Sequence, residues 1–155
     1  MTPADRTVLF LCVENACRSL MAEAFFNADP APGYRAASAG TRPSTAPDPR
    51  TGPMLREVGV EPPAHPPRPL TIEMDERADV RVTMGCLDDA SCPAHLKTRP
   101  LVDWALPDPA RLDDEGFRRV RDEIRERVRL LGLELRAAAN PGPAASRSVP
   151  HRQVR

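Results

Sequence analysis

The sequence carries no excess of either charge. Its 22 lysines and arginines balance 22 aspartates and glutamates, for a formal net charge of +0. A chain without a net field has nothing to recruit nucleic acid or an acidic membrane surface, so neither partner is expected. No apolar run approaches the roughly 20 residues that span a bilayer. The opening Met1-Thr2-Pro3-Ala4-Asp5-Arg6 lacks the charged-then-apolar order of a secretory signal, which makes a cytoplasmic location the expectation. Aromatic side chains are scarce, at 4 Phe, 1 Trp and 1 Tyr, and no internal repeat is visible. By number alone, 4 cysteines fit a disulfide-stapled secreted domain. Their placement argues otherwise: Cys12 and Cys17 share one loop, and Cys86 and Cys92 share another.

What the chain does have is length for one domain with a real core, at 155 residues. Val8–Leu11 reads as a fully buried strand, too short for a helix and followed by loop residues. Ser19–Ala28 reads as the crossover helix, and Tyr34–Ala39, ending at Gly40, as a second strand. Between Pro30 and Pro69 fall 11 of the 19 prolines, which break the chain repeatedly around one helix at Arg50–Val58. Ile72–Ala78 suits one or two helical turns. Val80, Val82 and Met84 alternate with Arg81 and Thr83, a strand pattern, and Leu101-Val102 suggests a last short strand. Phe117, Val120, Ile124, Val128, Leu131 and Leu135 recur at three- and four-residue steps. They define a long amphipathic helix capped by Asp113 or Asp114, with arginine- and glutamate-rich outer faces. The folded domain is expected over residues 1–137, and the Ala-, Pro- and Ser-rich stretch 138–155 is expected to be a disordered tail. Strands alternating with helices point to a parallel α/β sheet, with the site at the strands' C-terminal ends.

Three constellations carry chemistry. The first is the loop Cys12-Val13-Glu14-Asn15-Ala16-Cys17-Arg18-Ser19 between the buried strand and the helix. Such a loop aims backbone N–H groups and a helix's positive end at one point, which suits a tetrahedral oxyanion. The same field favours thiolate over thiol at Cys12, and Arg18 can offer a bidentate fork to the anion. Ser19 can donate to the sulfur, and Asn15 can hold the loop's shape through its side chain. The second is Asp108-Pro109, which is either ordinary turn chemistry or a proton donor for a leaving oxygen. The third is Cys86 and Cys92 in a Gly- and Asp-rich stretch after the alternating strand, where a thiol can attack sulfur or an adduct held on Cys12. Zinc bound by Cys12, Cys17, Cys86 and Cys92 is the competing reading, but neither pair has zinc-ribbon spacing. His65, His95 and His151 do not cluster with these motifs and read as surface residues.

Val8 through Ser19, followed by Met21-Ala22-Glu23-Ala24, resembles the low-molecular-weight protein tyrosine phosphatase superfamily, and within it the thioredoxin-coupled arsenate reductases. Ser38-Ala39-Gly40, Ala78 through Cys86, Cys92-Pro93, Asp103 through Ala110 and Phe117 through Ile124 extend the likeness in matching order over residues 7–135. The resemblance implies a single α/β domain whose four-stranded parallel sheet is flanked by helices, and reduction of arsenate to arsenite. Cys12 would attack arsenic, Asp108 would protonate the leaving oxygen, and Arg18 with the loop residues Glu14, Asn15, Ala16, Cys17 and Ser19 would hold the remaining oxygens. Cys86 would then attack Cys12, and Cys92 would take over Cys86, leaving a disulfide for thioredoxin. No metal or organic cofactor is implied, and a monomer is expected.

Departures from the family pattern accompany the likeness. Glu14 stands where relatives often carry Gly, and the Cys86–Cys92 spacing varies among relatives. Asn15, Glu23 and Ser38 match three of the four residues through which some relatives bind potassium, but the fourth, an Asp, falls near Arg68-Pro69-Leu70. In some phosphatase relatives a second loop cysteine protects the nucleophile by a reversible disulfide; here Cys17 is expected to be a bystander in the reductase cycle. A phosphatase using Cys12, Arg18 and Asp108 alone is the alternative enzyme. Such a hydrolase has no use for Cys86 and Cys92, and its lineage places tyrosines around the cleft, whereas Tyr34 is the only one here. A non-catalytic oxyanion-binding module, in which Glu14 has weakened turnover, is the third reading.

Overall fold

Strand β1 (Arg6–Cys12) sends Val8, Phe10 and Cys12 into one apolar cluster, and Leu9 and Leu11 into another. Successive side chains of a strand point to opposite faces, so a strand covered on both sides must be apolar throughout. That is why Val8–Leu11 reads as a continuous hydrophobic run. The computed structural model describes residues 5–85 and 93–139. Cys86, Cys92, His151 and nearly all of the 138–155 stretch lie outside the described residues.

β2 (Tyr34–Gly40), β3 (Val80–Thr83) and β4 (Val102–Asp103) complete one four-stranded sheet with the order β2-β1-β3-β4. Every pairing is parallel, with Cys12 beside Gly40 and Leu11 beside Thr83. The fold is thus the expected single parallel sheet flanked by helices. Because the strands run the same way, the loops that follow β1, β3 and β4 all leave from one edge. That edge brings Cys12, Met84-Gly85 and the segment after Asp103 together.

Helices α1 (Arg18–Ala28) and α4 (Asp114–Ala139) cover the face that carries Phe10, and α2 (Thr51–Arg56) packs at their side. Phe10 meets Phe26 edge-on at 6.4 Å and Trp104 at 5.6 Å. Phe117, Val120, Ile124, Val128, Leu131 and Leu135 are all buried, as the helical spacing requires. Of the two candidate caps it is Asp113 that accepts from Gly116 N, at 2.9 Å. One arginine of the supposed outer face turns inward: Arg121 is 6% exposed and donates to Met54 O and Glu57, which ties α4 to α2. Among the described residues, no helix is long and apolar enough to cross a membrane.

The opposite face holds a smaller cluster of Leu9, Leu11, Ala39, Ala78 and Leu96, covered by α3 (Ile72–Arg77) and a 3-10 turn at Ala94–Thr98. Its centre is polar. Asp75 and Arg81, 3% and 2% exposed at their side chains, pair at 2.7 Å. His95 Nδ1 lies 2.7 Å from the other oxygen of Asp75. Arg81 also donates to the carbonyls of Leu96, Arg99 and Pro100. His95 is therefore not the free surface residue expected from sequence. The partner it meets comes from an element 20 residues away, and no local pattern announces that contact.

Gly85 leaves β3 with φ +77, and a Cβ there would stand 2.3 Å from Ala105 Cα. Only glycine fits both the left-handed backbone and the approach of the β4 connection. Two outcomes are expected in urea unfolding. Asp75→Ala, which strands a buried Arg81, should lose about 3–5 kcal/mol. Gly85→Ala should lose on the order of 1–3 kcal/mol; unchanged midpoints in either variant would refute the corresponding packing account.

Candidate active site

The chain from Cys12 to Cys17 is held by its carbonyls. Cys12 O, Val13 O and Glu14 O accept from the backbone N–H groups of Thr41, Arg42 and Ser44, at 3.3, 2.8 and 3.0 Å. Ala16 O accepts from Asp48 N at 3.1 Å and from Thr51 Oγ1 at 2.8 Å, and Cys17 O closes the first turn of α1 with Met21 N at 2.9 Å. A planar peptide points its C=O and N–H in opposite directions. Turning these carbonyls toward the 41–51 segment therefore leaves the intervening N–H groups to face the loop's centre. Gly40 permits the close approach, since a Cβ there would lie 2.5 Å from Val13 O. Helix α1 starts at Arg18 with no side-chain cap and no acidic residue in its first turn, so its positive end is left for an anion.

Cys12 Sγ, on a residue 3% exposed, accepts from Asn15 N at 3.2 Å and lies 2.9 Å from Ser19 Oγ. Asn15, in the left-handed region at φ 52, donates through Nδ2 to Ser19 Oγ at 2.7 Å and to Ser38 Oγ at 3.0 Å. With that donation filling an acceptor site of Ser19, the Ser19 hydroxyl hydrogen stays free for the sulfur. Ser38 Oγ donates in turn to Glu23 Oε1 at 2.5 Å, and His65 Nε2 lies 2.8 Å from the same oxygen. A continuous hydrogen-bonded chain thus runs from His65 to the sulfur of Cys12. His65 belongs to the site's support rather than to free surface.

Asn15, Glu23 and Ser38 do come together, as a potassium set would require. Their oxygens are already engaged, however: Arg68 N donates to Asn15 Oδ1, Arg68 Nε to Ser38 O, and Glu23 receives Ser38 and faces His65. The residues present do not fit a resident cation. Among the described residues, no group of three or more His, Cys, Asp or Glu is placed to hold a metal.

Arg18 is 7% exposed and spans the strand ends. Its Nη1 donates to Leu106 O at 2.8 Å and Met84 O at 3.3 Å. The Nε–Nη2 edge has no partner among the described residues and can take two anion oxygens side-on. The carbonyls it does grip lie one residue before Gly85 and two before Asp108, so the arginine links the anion loop to both neighbouring segments. Asp108 caps the 3-10 turn Pro109–Arg111 by accepting from Ala110 N at 3.0 Å. Its charge is among those that raise the Cys17 thiol.

Glu14 is exposed, and its carboxylate accepts from Ser44 Oγ at 3.1 Å. Its contribution to the loop's centre is a backbone N–H rather than a negative charge. Cys17 is buried, and burial first, then the carboxylates of Asp48 and Asp108, push its thiol up to about 12. It remains protonated at neutral pH. Two thiols five residues apart therefore have different surroundings: one receives hydrogen bonds, the other receives negative field. Cys86 and Cys92 lie outside the described residues.

Sequence reading missed Asp48, Arg50, Thr51 and His65 as parts of this site. Thr51 and Asp48 act through backbone contacts that periodicity does not encode. The Glu23–His65 contact spans 42 residues. The pattern Asp48-Pro49-Arg50-Thr51 ahead of a helix is the one local signal available, as a turn entering a helix.

A strand, an oxyanion loop closed at a helix N-terminus, and a thiol on its floor match a known class. The model of the low molecular weight phosphotyrosine protein phosphatase family matches residues 7–140, and the chain belongs to that family. Among individual relatives, an arsenate reductase of Bacillus cereus is 33% identical over 124 residues, covering 80% of this chain and 92% of that protein. A solved arsenate reductase in the phosphate binding state superposes with a TM-score of 0.73 at 31% identity, covering 83% of this chain and 98% of the other. A thioredoxin-dependent arsenate reductase from Corynebacterium glutamicum has a TM-score of 0.72 and 31% identity, covering 88% of this chain and 64% of that one.

The raised Cys17 pKa has a consequence for stability. Below about pH 9 the thiol is protonated whether the chain is folded or not, and its burial carries no ionisation penalty. From 9 toward 12 the unfolded chain releases the proton first, so stability falls as pH rises. Urea unfolding between pH 9 and 11 should therefore show a steeper loss in the wild type than in Cys17→Ala. Equal slopes would show that the buried thiol makes no such contribution.

Proposed function

We propose that this protein is a cytoplasmic, monomeric arsenate reductase that uses Cys12, Cys86 and Cys92 in a relay regenerated by thioredoxin, within a domain spanning residues 1–137. The observation that carries the reading is the likeness to a protein named arsenate reductase, 33% identical over four fifths of this chain. The thioredoxin-dependent relative of similar structure supports the choice of reductant. The geometry of the loop supplies the chemistry.

Arsenate is a tetrahedral oxyanion, and the N–H groups of Glu14 and of Ala16 through Ser19, with the Arg18 edge that has no partner among the described residues, hold three of its oxygens. Cys12 Sγ, which accepts from Asn15 N and lies 2.9 Å from Ser19 Oγ, attacks arsenic. Asp108 gives its proton to the departing oxygen, which leaves as water and would otherwise leave as hydroxide. The Cys86 thiolate then attacks Cys12 Sγ. The sulfur–arsenic bond breaks, its electron pair goes to arsenic, and arsenite leaves as a Cys12–Cys86 disulfide forms. Cys92 attacks Cys86, which frees Cys12 and gives a Cys86–Cys92 disulfide. A thioredoxin dithiol reduces that disulfide and is itself oxidised. Cys17, held protonated, takes no part.

A phosphatase is the second reading, because the family model is that of phosphatases and the same cradle accepts phosphate. Thiolate attack on phosphorus would use Cys12, Arg18 and Asp108 and would make no demand on Cys86 or Cys92. The two separate in an assay of arsenate-dependent NADPH oxidation with thioredoxin and thioredoxin reductase. Cys12→Ser, Cys86→Ser and Cys92→Ser should each lose multiple turnover, on the order of a hundredfold or more. Cys92→Ser should still release arsenite once per chain. Full turnover in Cys86→Ser would sink the relay, and hydrolysis of an aryl phosphate with arsenate inert would establish the phosphatase.

A further inference from the structure

Asp108 sits on a turn with little of its own to hold it. The capping bond to Ala110 N and the 3-10 contacts of Arg111 N and Leu112 N are local; Pro107, Ala110 and Arg111 are exposed, and Pro109 is the one buried residue of the 3-10 turn. The turn is instead gathered by one guanidinium from a different part of the chain. Arg50 Nη2 donates to Pro109 O at 3.2 Å and Ala110 O at 3.4 Å, and Nη1 donates to Leu112 O at 2.9 Å and Asp114 Oδ1 at 3.2 Å. Its Cζ stands 4.6 Å from the centre of the Phe117 ring, at the start of α4. A planar fork with five donors can reach several carbonyls of a tight turn at once, and an ammonium cannot.

The backbone of the same residue is fixed to the anion loop. Arg50 N donates to Asp48 Oδ1 at 2.9 Å, and Asp48 N and Thr51 Oγ1 both donate to Ala16 O. Residues 48–51 therefore grip the loop with one set of groups and the Asp108 turn with another. We propose that Arg50 is a positioning residue for proton transfer, clamping the turn Pro109–Leu112 so that the Asp108 carboxyl stands over the leaving oxygen of an anion in the loop. The proposal rests on the reading of Asp108 as the proton donor.

The clamp is separable from the fold. The carbonyls of Ala110 and Leu112 are held in exposed bonds where water can replace the guanidinium, that of Pro109 is part-buried, and Phe117 stays in the core at 0% exposed. Losing Arg50 should thus relax the placement of Asp108 more than it unfolds the chain. It should also leave the anion loop intact, because Asp48 and Thr51 hold Ala16 O without the arginine side chain.

The test is a double-mutant cycle of Arg50→Lys and Arg50→Met with Asp108→Asn, reading single-turnover arsenite release, the Kd for inorganic phosphate, and Tm. Either Arg50 variant should slow release about tenfold or more in the wild-type background, within the range of a general acid's contribution. The same substitution should cost less than about twofold when Asp108 is already Asn, because groups acting as one unit are not additive. Phosphate Kd should hold within about twofold. Arg50→Lys keeps the charge and most of the stem, so it carries the cycle if Arg50→Met folds poorly. Equal losses with and without Asp108, or phosphate binding weakened in step with rate, would overturn the clamp alone. An Asp108→Asn variant that releases arsenite at the wild-type rate would overturn the role of Asp108 and this inference with it.

Discussion

The outward-turned carbonyls of residues 12–17 are the constraint on which the rest of the site depends. Five of them are engaged away from the loop's centre, four by the segment from Thr41 to Thr51 and one by α1. Without those bonds the loop's own carbonyl oxygens could swing inward and turn their partial negative charge on the loop's centre. Peptide planarity converts each outward oxygen into an inward-facing N–H on the next residue. The proline-rich stretch after β2 is therefore not a passive connection. It runs beside the loop as a strut, admitted by the missing Cβ of Gly40.

That strut also explains how charge is arranged around the sulfur. Glu14 reaches Ser44 on it and keeps its carboxylate at the rim. Asp48 belongs to it and, with Asp108, raises the Cys17 thiol, already desolvated by burial. Cys12, five residues earlier, instead meets Asn15 N and Ser19 Oγ. Two thiols on one loop are thus divided by placement alone into a hydrogen-bonded sulfur and one held protonated at neutral pH. Arg18 completes the arrangement by spending one nitrogen on the carbonyls of Met84 and Leu106. One side chain thereby ties the start of α1 to both neighbouring strand ends.

The two faces of the sheet are held by different physics. The face toward α1 and α4 is packed apolar surface, with Phe10 between Phe26 and Trp104. The face toward α3 is organised around Asp75, with Arg81, His95 and Arg99 bound to it or to nearby carbonyls. A buried pair of this kind adds little net stability over an apolar replacement, but it tolerates only one arrangement of its partners. Arg81 precedes Cys86 in the chain and His95 follows Cys92. The cluster therefore fixes the chain on both sides of the segment that carries those cysteines.

The sequence by itself determined the parallel sheet and the position of the oxyanion loop. Val8–Leu11 had to be a doubly buried strand, and a loop closing at Arg18 and a following helix had to present N–H groups. The α4 core stripe from Phe117 to Leu135 was equally legible, since each is a matter of local periodicity. Tertiary structure alone decided what surrounds the loop. Arg121 reads as one more arginine on a charged helix until Met54 O and Glu57 meet it. His65 reads as a residue in a proline-rich turn until Glu23 faces it. Arg50 reads as a helix-entry residue until the turn after Asp108 lies against its guanidinium. Strand and helix patterns report which side of an element faces away from water. They do not report which distant carbonyl or carboxylate will arrive there, because that choice is made only when the chain closes on itself.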